Sequence, residues 1–211
     1  MTELILALDV TDRNRALSVA AACAPFLDAI KIGYPLVLST GLSIARDLAD
    51  LGLPIIADFK VADIPNTNRL ITGLVFDSGC RAIICHGFTG SDSVCACVDT
   101  AHDAGGSCYV VAEMSHPGGL EFFSRGVASG IAALAVACGA DGIIAPATRP
   151  AHVALLRDIV GSRKIYAPGV GAQGGDLAAV AGIVDGVIVG RAIYEAAEPD
   201  TAAAGYANIR R

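Results

Sequence analysis

There is no tryptophan in this 211-residue chain, there are only two methionines, and aromatic residues make up 5% of it. A core without large rings has to be built from Ala, Val, Ile and Leu at close backbone approach, which the 24 glycines permit. With 54% hydrophobic residues, that is α/β composition. Also absent is any Cys-x-x-Cys pair. The seven cysteines, at 23, 80, 85, 95, 97, 108 and 138, are odd in number, which argues against a disulfide framework or a four-cysteine zinc site. Cys95-Ala96-Cys97 and the four histidines match no standard ligand spacing, so all seven sulfurs are read as structural thiols and no metal is expected.

Positive charge is in deficit: 15 Lys and Arg stand against 21 Asp and Glu, a net charge of −6. Without a basic field, nucleic-acid binding is excluded as a main activity, and any anion site must be local. No apolar run is long enough for a bilayer. The longest charge-free stretch, 126–140, has 15 residues and is rich in Gly and Ala. Met1-Thr2-Glu3 leads straight into the apolar 4–8 segment with neither a basic n-region nor a long h-region, so no secretory signal is read and the expected location is cytoplasmic. No linker, low-complexity tract or composition break divides the chain, and the expectation is one domain over 1–211.

What is present is a repeat. Short β-rich apolar runs occur at 4–8, 29–32, 55–59, 82–85, 109–112, 142–145, 165–167 and 187–189, and helix-like stretches lie between them at 13–23, 42–51, 67–78, 91–104, 130–138 and 153–160. A spacing of roughly 20 to 30 residues is one strand, one crossover helix and two loops, the unit of a parallel βαβ chain. Eight such units could close into a barrel or wind as an open sheet. The polar residues favour the (β/α)8 barrel: nearly every run ends in an unusual group, at Asp9, Lys31, Asp58 with Lys60, His86, Glu113 to Ser115, Pro146, Pro168-Gly169 and Gly190-Arg191. A closed barrel brings those ends to one rim, where barrel enzymes do their chemistry, and an open sheet would scatter them.

The densest signal is Asp58-Phe59-Lys60-Val61-Ala62-Asp63. Strand side chains alternate faces, so Ile56, Asp58 and Lys60 share one side. On the barrel interior, a carboxylate and an ammonium would be held together in partly desolvated surroundings, where each favours the other's charged form. Asp9 and Lys31 can add one more charge of each sign. The plain alternative is a buried ion pair, with Asp63 capping the helix that begins near Pro65. Gathering four charges at adjacent strand ends is costly unless function requires it.

A second signal lies near the C-terminus. Pro168-Gly169-Val170-Gly171-Ala172-Gln173-Gly174-Gly175-Asp176 follows the seventh run, and Val189-Gly190-Arg191 follows the eighth and leads into a short helix. Glycine loops after strands seven and eight are where barrels bind phosphate, and Arg191 offers the fixed fork that suits a dianion.

Six blocks, in order and along the whole chain, carry a resemblance: Leu-Ala-Leu-Asp at 6–9, Lys-Ile-Gly-Tyr-Pro-Leu at 31–36, Asp-Phe-Lys-Val-Ala-Asp-Ile-Pro at 58–65, Glu-Met-Ser-His-Pro-Gly at 113–118, the glycine block at 168–176 and Val-Gly-Arg at 189–191. The sequence resembles the short, single-domain orotidine 5′-phosphate decarboxylases. The resemblance implies a cofactor-free carboxy-lyase that converts orotidine 5′-monophosphate to UMP and CO2 in pyrimidine biosynthesis. It further implies that Lys31, Asp58 and Lys60, with Asp63 from the other subunit of a homodimer, surround the scissile carboxylate, and that Lys60 is the proton donor. Asp9 and Lys31 would bind ribose hydroxyls, Ser115 the pyrimidine edge, and Gln173 and Arg191, beside Pro168 and Gly190, the phosphate. Ile64 and Thr67 would reach the partner's site next to Asp63. His86 and His116 receive no role.

The residue types suit that chemistry. Loss of CO2 from C6 leaves a carbanion orthogonal to the ring π system, with no electron sink, so an ammonium beside C6 must stabilise the charge and then give up a proton. The nearest rival is a metal-dependent barrel resembling the 3-keto-gulonate 6-phosphate decarboxylases, which share an Asp-x-Lys-x-x-Asp motif but place a Mg²⁺-binding Glu where this chain has Lys31, a cation that would repel the metal. A barrel that merely senses a nucleotide would not need Lys60 and Asp63 together.

Overall fold

The computed structural model describes residues 2–171 and 174–207. The chain runs β1 (Glu3–Leu8), α1 (Arg13–Cys23), β2 (Ala29–Gly33), α2 (Tyr34–Thr40), α3 (Ile44–Ala49), β3 (Ile55–Val61), α4 (Pro65–Asp77), β4 (Ala82–His86) and α5 (Ser91–Asp103). It continues with β5 (Ser107–Val111), α6 (Gly119–Phe123), α7 (Val127–Ala137), β6 (Gly142–Ile144), α8 (Pro150–Val160), β7 (Lys164–Pro168), α9 (Leu177–Val180), β8 (Gly186–Val189), α10 (Arg191–Tyr194) and α11 (Pro199–Ala207). The eight strands are parallel and pair in sequence order, and β8 returns to β1 with Leu4 opposite Val187, so the sheet is a closed barrel in a single domain.

Closure divides the apolar residues into two layers, and strand alternation decides which residue joins which. Leu4, Leu6 and Leu8 of β1 face the helices, and Ile5 and Ala7 face inward. The same parity puts Ala29 of β2, Ile56 of β3, Ile84 of β4, Tyr109 and Val111 of β5, Ile144, Tyr166 and Ile188 into the barrel's inner core. The outer layer is larger and is built of Leu, Ile, Val and Ala from strands and helices, each buried Leu or Ile contributing about 1.5–3 kcal/mol. At the N-terminal end the interior is sealed by polar contacts: Lys164 Nζ and Tyr166 Oη donate to Glu3 at 2.5 and 2.7 Å.

Among the described residues no helix is long and apolar enough to cross a membrane. The β2 to β3 crossover holds two helices where the sequence predicts one over 42–51. Pro35 opens α2 and Gly41, at φ 83°, ends it. The reading of seven free thiols is also corrected. Cys95 of α5 and Cys138, just after α7, form a disulfide with their Cα atoms 5.1 Å apart. The two cysteines are 43 residues apart and meet only because consecutive crossover helices lie side by side around the barrel. Cys23, Cys80, Cys85, Cys97 and Cys108 are free and buried.

Candidate active site

Following each strand's inward parity to its C-terminal end, or just past it, gives the pocket. Ala7 leads to Asp9, Ala29 to Lys31, Ile56 to Asp58 and Lys60, Val111 to Glu113, Tyr166 to Pro168, and Ile188 to Gly190. These residues line a cavity of about 220 Å³ together with Met114, Ser115, Gly169, Val170, Arg191 and Tyr194, room for one small ligand. Packing of the strand ends is tight: a Cβ on Gly33 of β2 would sit 3.0 Å from Asp9 Oδ1 and press that carboxylate out of its place by a few tenths of an ångström.

The floor is a three-residue charge array. Lys31 Nζ lies 2.8 Å from Asp58 Oδ2, and Lys60 Nζ donates to Asp58 Oδ1 at 2.7 Å and to Oδ2 at 2.9 Å. The Lys31 and Asp58 side chains are only 8% and 11% exposed, against 35% for Lys60, so Lys60 is the arm that reaches into the cavity. Burial by itself pushes the Asp58 carboxyl up; the charges and hydrogen bonds of Lys31 and Lys60 outweigh it and hold the group below its ordinary value of 3.8. Both Asp58 oxygens thus carry ammonium hydrogens, which is a poor donor set for a divalent cation. Among the described residues no group of three or more His, Cys, Asp or Glu side chains is placed to hold one.

Lys60 has a positive φ of 45°, one of two non-glycine residues in that region among the described residues, and the β3–β4 register shifts between Ala57 and Val61. A bulge that re-aims a side chain beside a site is a recognised use of such a shift, and a non-glycine residue held there stores strain.

Asp63, Ile64 and Thr67 are not brought into the cavity of their own chain. Asp63 is exposed, in the turn between β3 and α4. It does not cap the helix from a side chain: Ile64 is the N-cap and Pro65 opens α4, while Asp63 Oδ1 accepts from Ile64 N at 2.7 Å. The turn's backbone is pinned instead, with Asp63 N donating to Asn68 Oδ1 at 3.1 Å and Ser93 Oγ donating to Asp63 O at 2.8 Å. Ile64 is 64% exposed, and Leu70 and Leu74 of α4, Tyr34 and Phe88 are also exposed.

On the opposite rim, Gly169 and Gly171 take φ of 99° and 75°, conformations open to glycine, and Gly190 serves as N-cap of α10 with Arg191 as the helix's first residue, exposed at the mouth. Gln173 lies outside the described residues. Ser115, on the loop between β5 and α6, shares the cavity and also lines an adjoining open groove with Arg191.

Three features escaped the sequence reading. Tyr194 lines the cavity, its phenol pushed up by burial and by the Asp9 carboxylate. Glu113 is completely buried and accepts from Arg149 Nη1 at 3.0 Å, with His152 Nδ1 3.1 Å away. A fully buried carboxylate requires partners, but nothing local to Glu113 names residues 36 and 39 positions along. His86, at the end of β4, packs its ring 4.6 Å from that of Phe88, and its buried Nδ1 has no hydrogen-bond partner among the described residues. Burial and the Lys60 charge, opposed by Asp58, bring its pKa down from 6.5 to about 4.

The sequence itself matches the family model described as Orotidine 5′-phosphate decarboxylase / HUMPS family over residues 2–206. The chain belongs to this family. Its similarity to named members is extensive. It is 57% identical over 203 residues to an orotidine 5′-phosphate decarboxylase of Methanococcoides burtonii, covering 95% of this chain and 93% of that one. It is 55% identical over 202 residues to that of Methanosarcina barkeri, covering 95% and 90%. The crystal structure of orotidine 5′-monophosphate decarboxylase from Methanocaldococcus jannaschii, complexed with the inhibitor BMP, superposes with a TM-score of 0.95 at 43% identity, covering 99% of this chain and 98% of that one.

Proposed function

We propose that the chain is an orotidine 5′-phosphate decarboxylase, a carboxy-lyase that releases CO2 from orotidine 5′-monophosphate and leaves UMP, in de novo pyrimidine biosynthesis. The observation that carries the reading is the Lys31–Asp58–Lys60 array on the floor of a small-ligand cavity, in a family member aligned with named decarboxylases over nearly its whole length.

Decarboxylation at C6 breaks the carbon–carboxylate bond and leaves its electron pair localised on C6. Lys60, the most exposed arm of the array, stabilises that pair electrostatically and donates the proton that forms the C6–H bond. Asp58 lies beside the departing carboxylate, and Lys31 keeps it charged while sharing with Asp9 the ribose hydroxyls. Ser115 meets the pyrimidine edge. Arg191, with Gly190, Pro168 and Gln173, holds the phosphate, whose binding energy contributes to the barrier as well as to affinity. No metal takes part, since Lys31 and Lys60 already occupy both oxygens of Asp58.

Asp63, Ile64 and Thr67 act in the other subunit of a homodimer. In support, they are absent from the lining of their own cavity, and the helix α4 that Ile64 caps exposes the apolar Leu70 and Leu74, as an interface helix does. The protein works as a single-domain cytoplasmic enzyme over 1–211. Incubating the chain with orotidine 5′-monophosphate in D2O tests the chemistry: the expected product is UMP carrying deuterium at C6, seen by NMR, and recovery of unchanged substrate refutes the reading.

A further inference from the structure

The loop that carries Ser115 is held by a strap of residues, anchored on Glu113 in the cavity wall, that takes no part in the chemistry described above. Arg149 Nη1 donates to Glu113 Oε1 at 3.0 Å and to Met114 O at 2.7 Å, and Nη2 donates to His116 O at 3.0 Å. One guanidinium therefore grips the carbonyls on both sides of Ser115. Its anchor, Glu113, is completely buried at the end of β5, where Glu113 N donates to Ile144 O across the barrel wall at 3.4 Å. His152 Nδ1 lies 3.1 and 3.2 Å from the two Glu113 oxygens. Arg149 is itself fixed: it is the N-cap of α8 and precedes Pro150, which restricts its backbone, and its side chain is only 14% exposed.

We infer that Arg149 is a positioning residue for base recognition: tied to the Glu113 carboxylate, it locks the loop carbonyls that flank Ser115 and so fixes where Ser115 meets the pyrimidine ring. The inference rests on the decarboxylase reading, because that reading assigns Ser115 to the base. The guanidinium spreads its donors over two nitrogens, Nη1 for Glu113 and Met114 and Nη2 for His116, acceptors that a lysine would have to reach from a single nitrogen. Among the described residues the hydrogen bonds of Arg149 all go to Glu113 and the loop that carries Ser115, and none goes to Arg191, although the two arginines border one open groove.

That asymmetry supplies the test. Inhibition constants are measured for uridine 5′-phosphate, which has a base, and for ribose 5-phosphate, which has none, in wild type, Arg149→Lys and Arg149→Ala, each with and without Ser115→Ala. Arg149→Ala is expected to weaken uridine 5′-phosphate by about ten-fold, the equivalent of about 1.4 kcal/mol, while ribose 5-phosphate stays within about two-fold. Arg149→Lys keeps a cation on Glu113 and falls between, and it carries the comparison should the alanine variant fail to fold. On a Ser115→Ala background the Arg149 effect shrinks to within about two-fold. Equal weakening of both inhibitors, or a full loss that persists without the Ser115 hydroxyl, overturns the inference. Failure of the wild type to decarboxylate orotidine 5′-phosphate would instead refute the reading beneath it.

Discussion

Exchanging subunits between two dead variants is the most informative perturbation, because it separates residues that are close in sequence but assigned to different sites. Lys60 lines the cavity of its own chain, whereas Asp63, three residues on, is exposed and outside that lining. The backbone of the Asp63 turn is held by Asn68 and Ser93, not by the Asp63 carboxylate alone, so Asp63→Ala should leave the fold intact. Lys60→Ala and Asp63→Ala are each expected to be nearly inactive. In a mixed dimer one site collects both defects and the other has Lys60 and the partner's Asp63 intact. With random exchange half the dimers are mixed and half their sites are whole, so about a quarter of wild-type activity should return. Differently tagged subunits allow the mixed species to be purified, which should raise the figure to about half. Activity is read as loss of orotidine 5′-phosphate absorbance, and mass spectrometry verifies exchange. Verified mixed dimers with no recovered activity would show that Asp63 serves its own chain.

Arg191→Ala should weaken substrate capture by about 2–5 kcal/mol in kcat/KM, the range for removing one partner of a close charged pair, with little change in Tm because the side chain is exposed; an unchanged kcat/KM counts against the phosphate role. Reducing the Cys95–Cys138 disulfide, which closes a 43-residue separation, should lower unfolding stability by about 4 kcal/mol on the chain-entropy relation. A urea midpoint that does not move with reductant contradicts it. His86 is held at about 4 against 6.5 in the unfolded chain. As pH falls below 6.5 the unfolded chain takes up a proton that the folded one refuses until about 4, so this contribution is present above 6.5 and lost between the two values, at no more than about 1.4 kcal/mol per pH unit. Urea titrations at pH 7, 6 and 5 should therefore show a shallower acid-side decline for His86→Phe than for wild type, and identical slopes would refute it.

Alternation along a strand is local, and what depended on it was legible: Asp58 and Lys60 follow Ile56 onto the inner wall, and Asp9, Lys31, Pro168 and Gly190 fall at strand ends that closure brings to one rim. The stretches between the strand runs placed α1 and α5 to within a residue. What escaped was non-local or depended on exact backbone angles. The Arg149 and His152 partners of Glu113 come from the start of α8 in the next crossover, the Cys95–Cys138 bond joins two crossovers that meet only in the closed ring, and the positive φ of Lys60 lies at a register shift with β4 that no pattern in 58–63 encodes. Short helices such as α2 and α6 are set by proline, glycine and packing, not by amphipathic periodicity.

Decarboxylation that rests on a lysine–aspartate array should need no metal. Orotidine 5′-phosphate is added to the purified chain, and its ultraviolet absorbance is followed before and after exhaustive treatment with EDTA. With Lys31 and Lys60 occupying both Asp58 oxygens, the substrate should be consumed at the same rate in both samples. Activity that disappears with the chelator and returns with Mg²⁺ would contradict it.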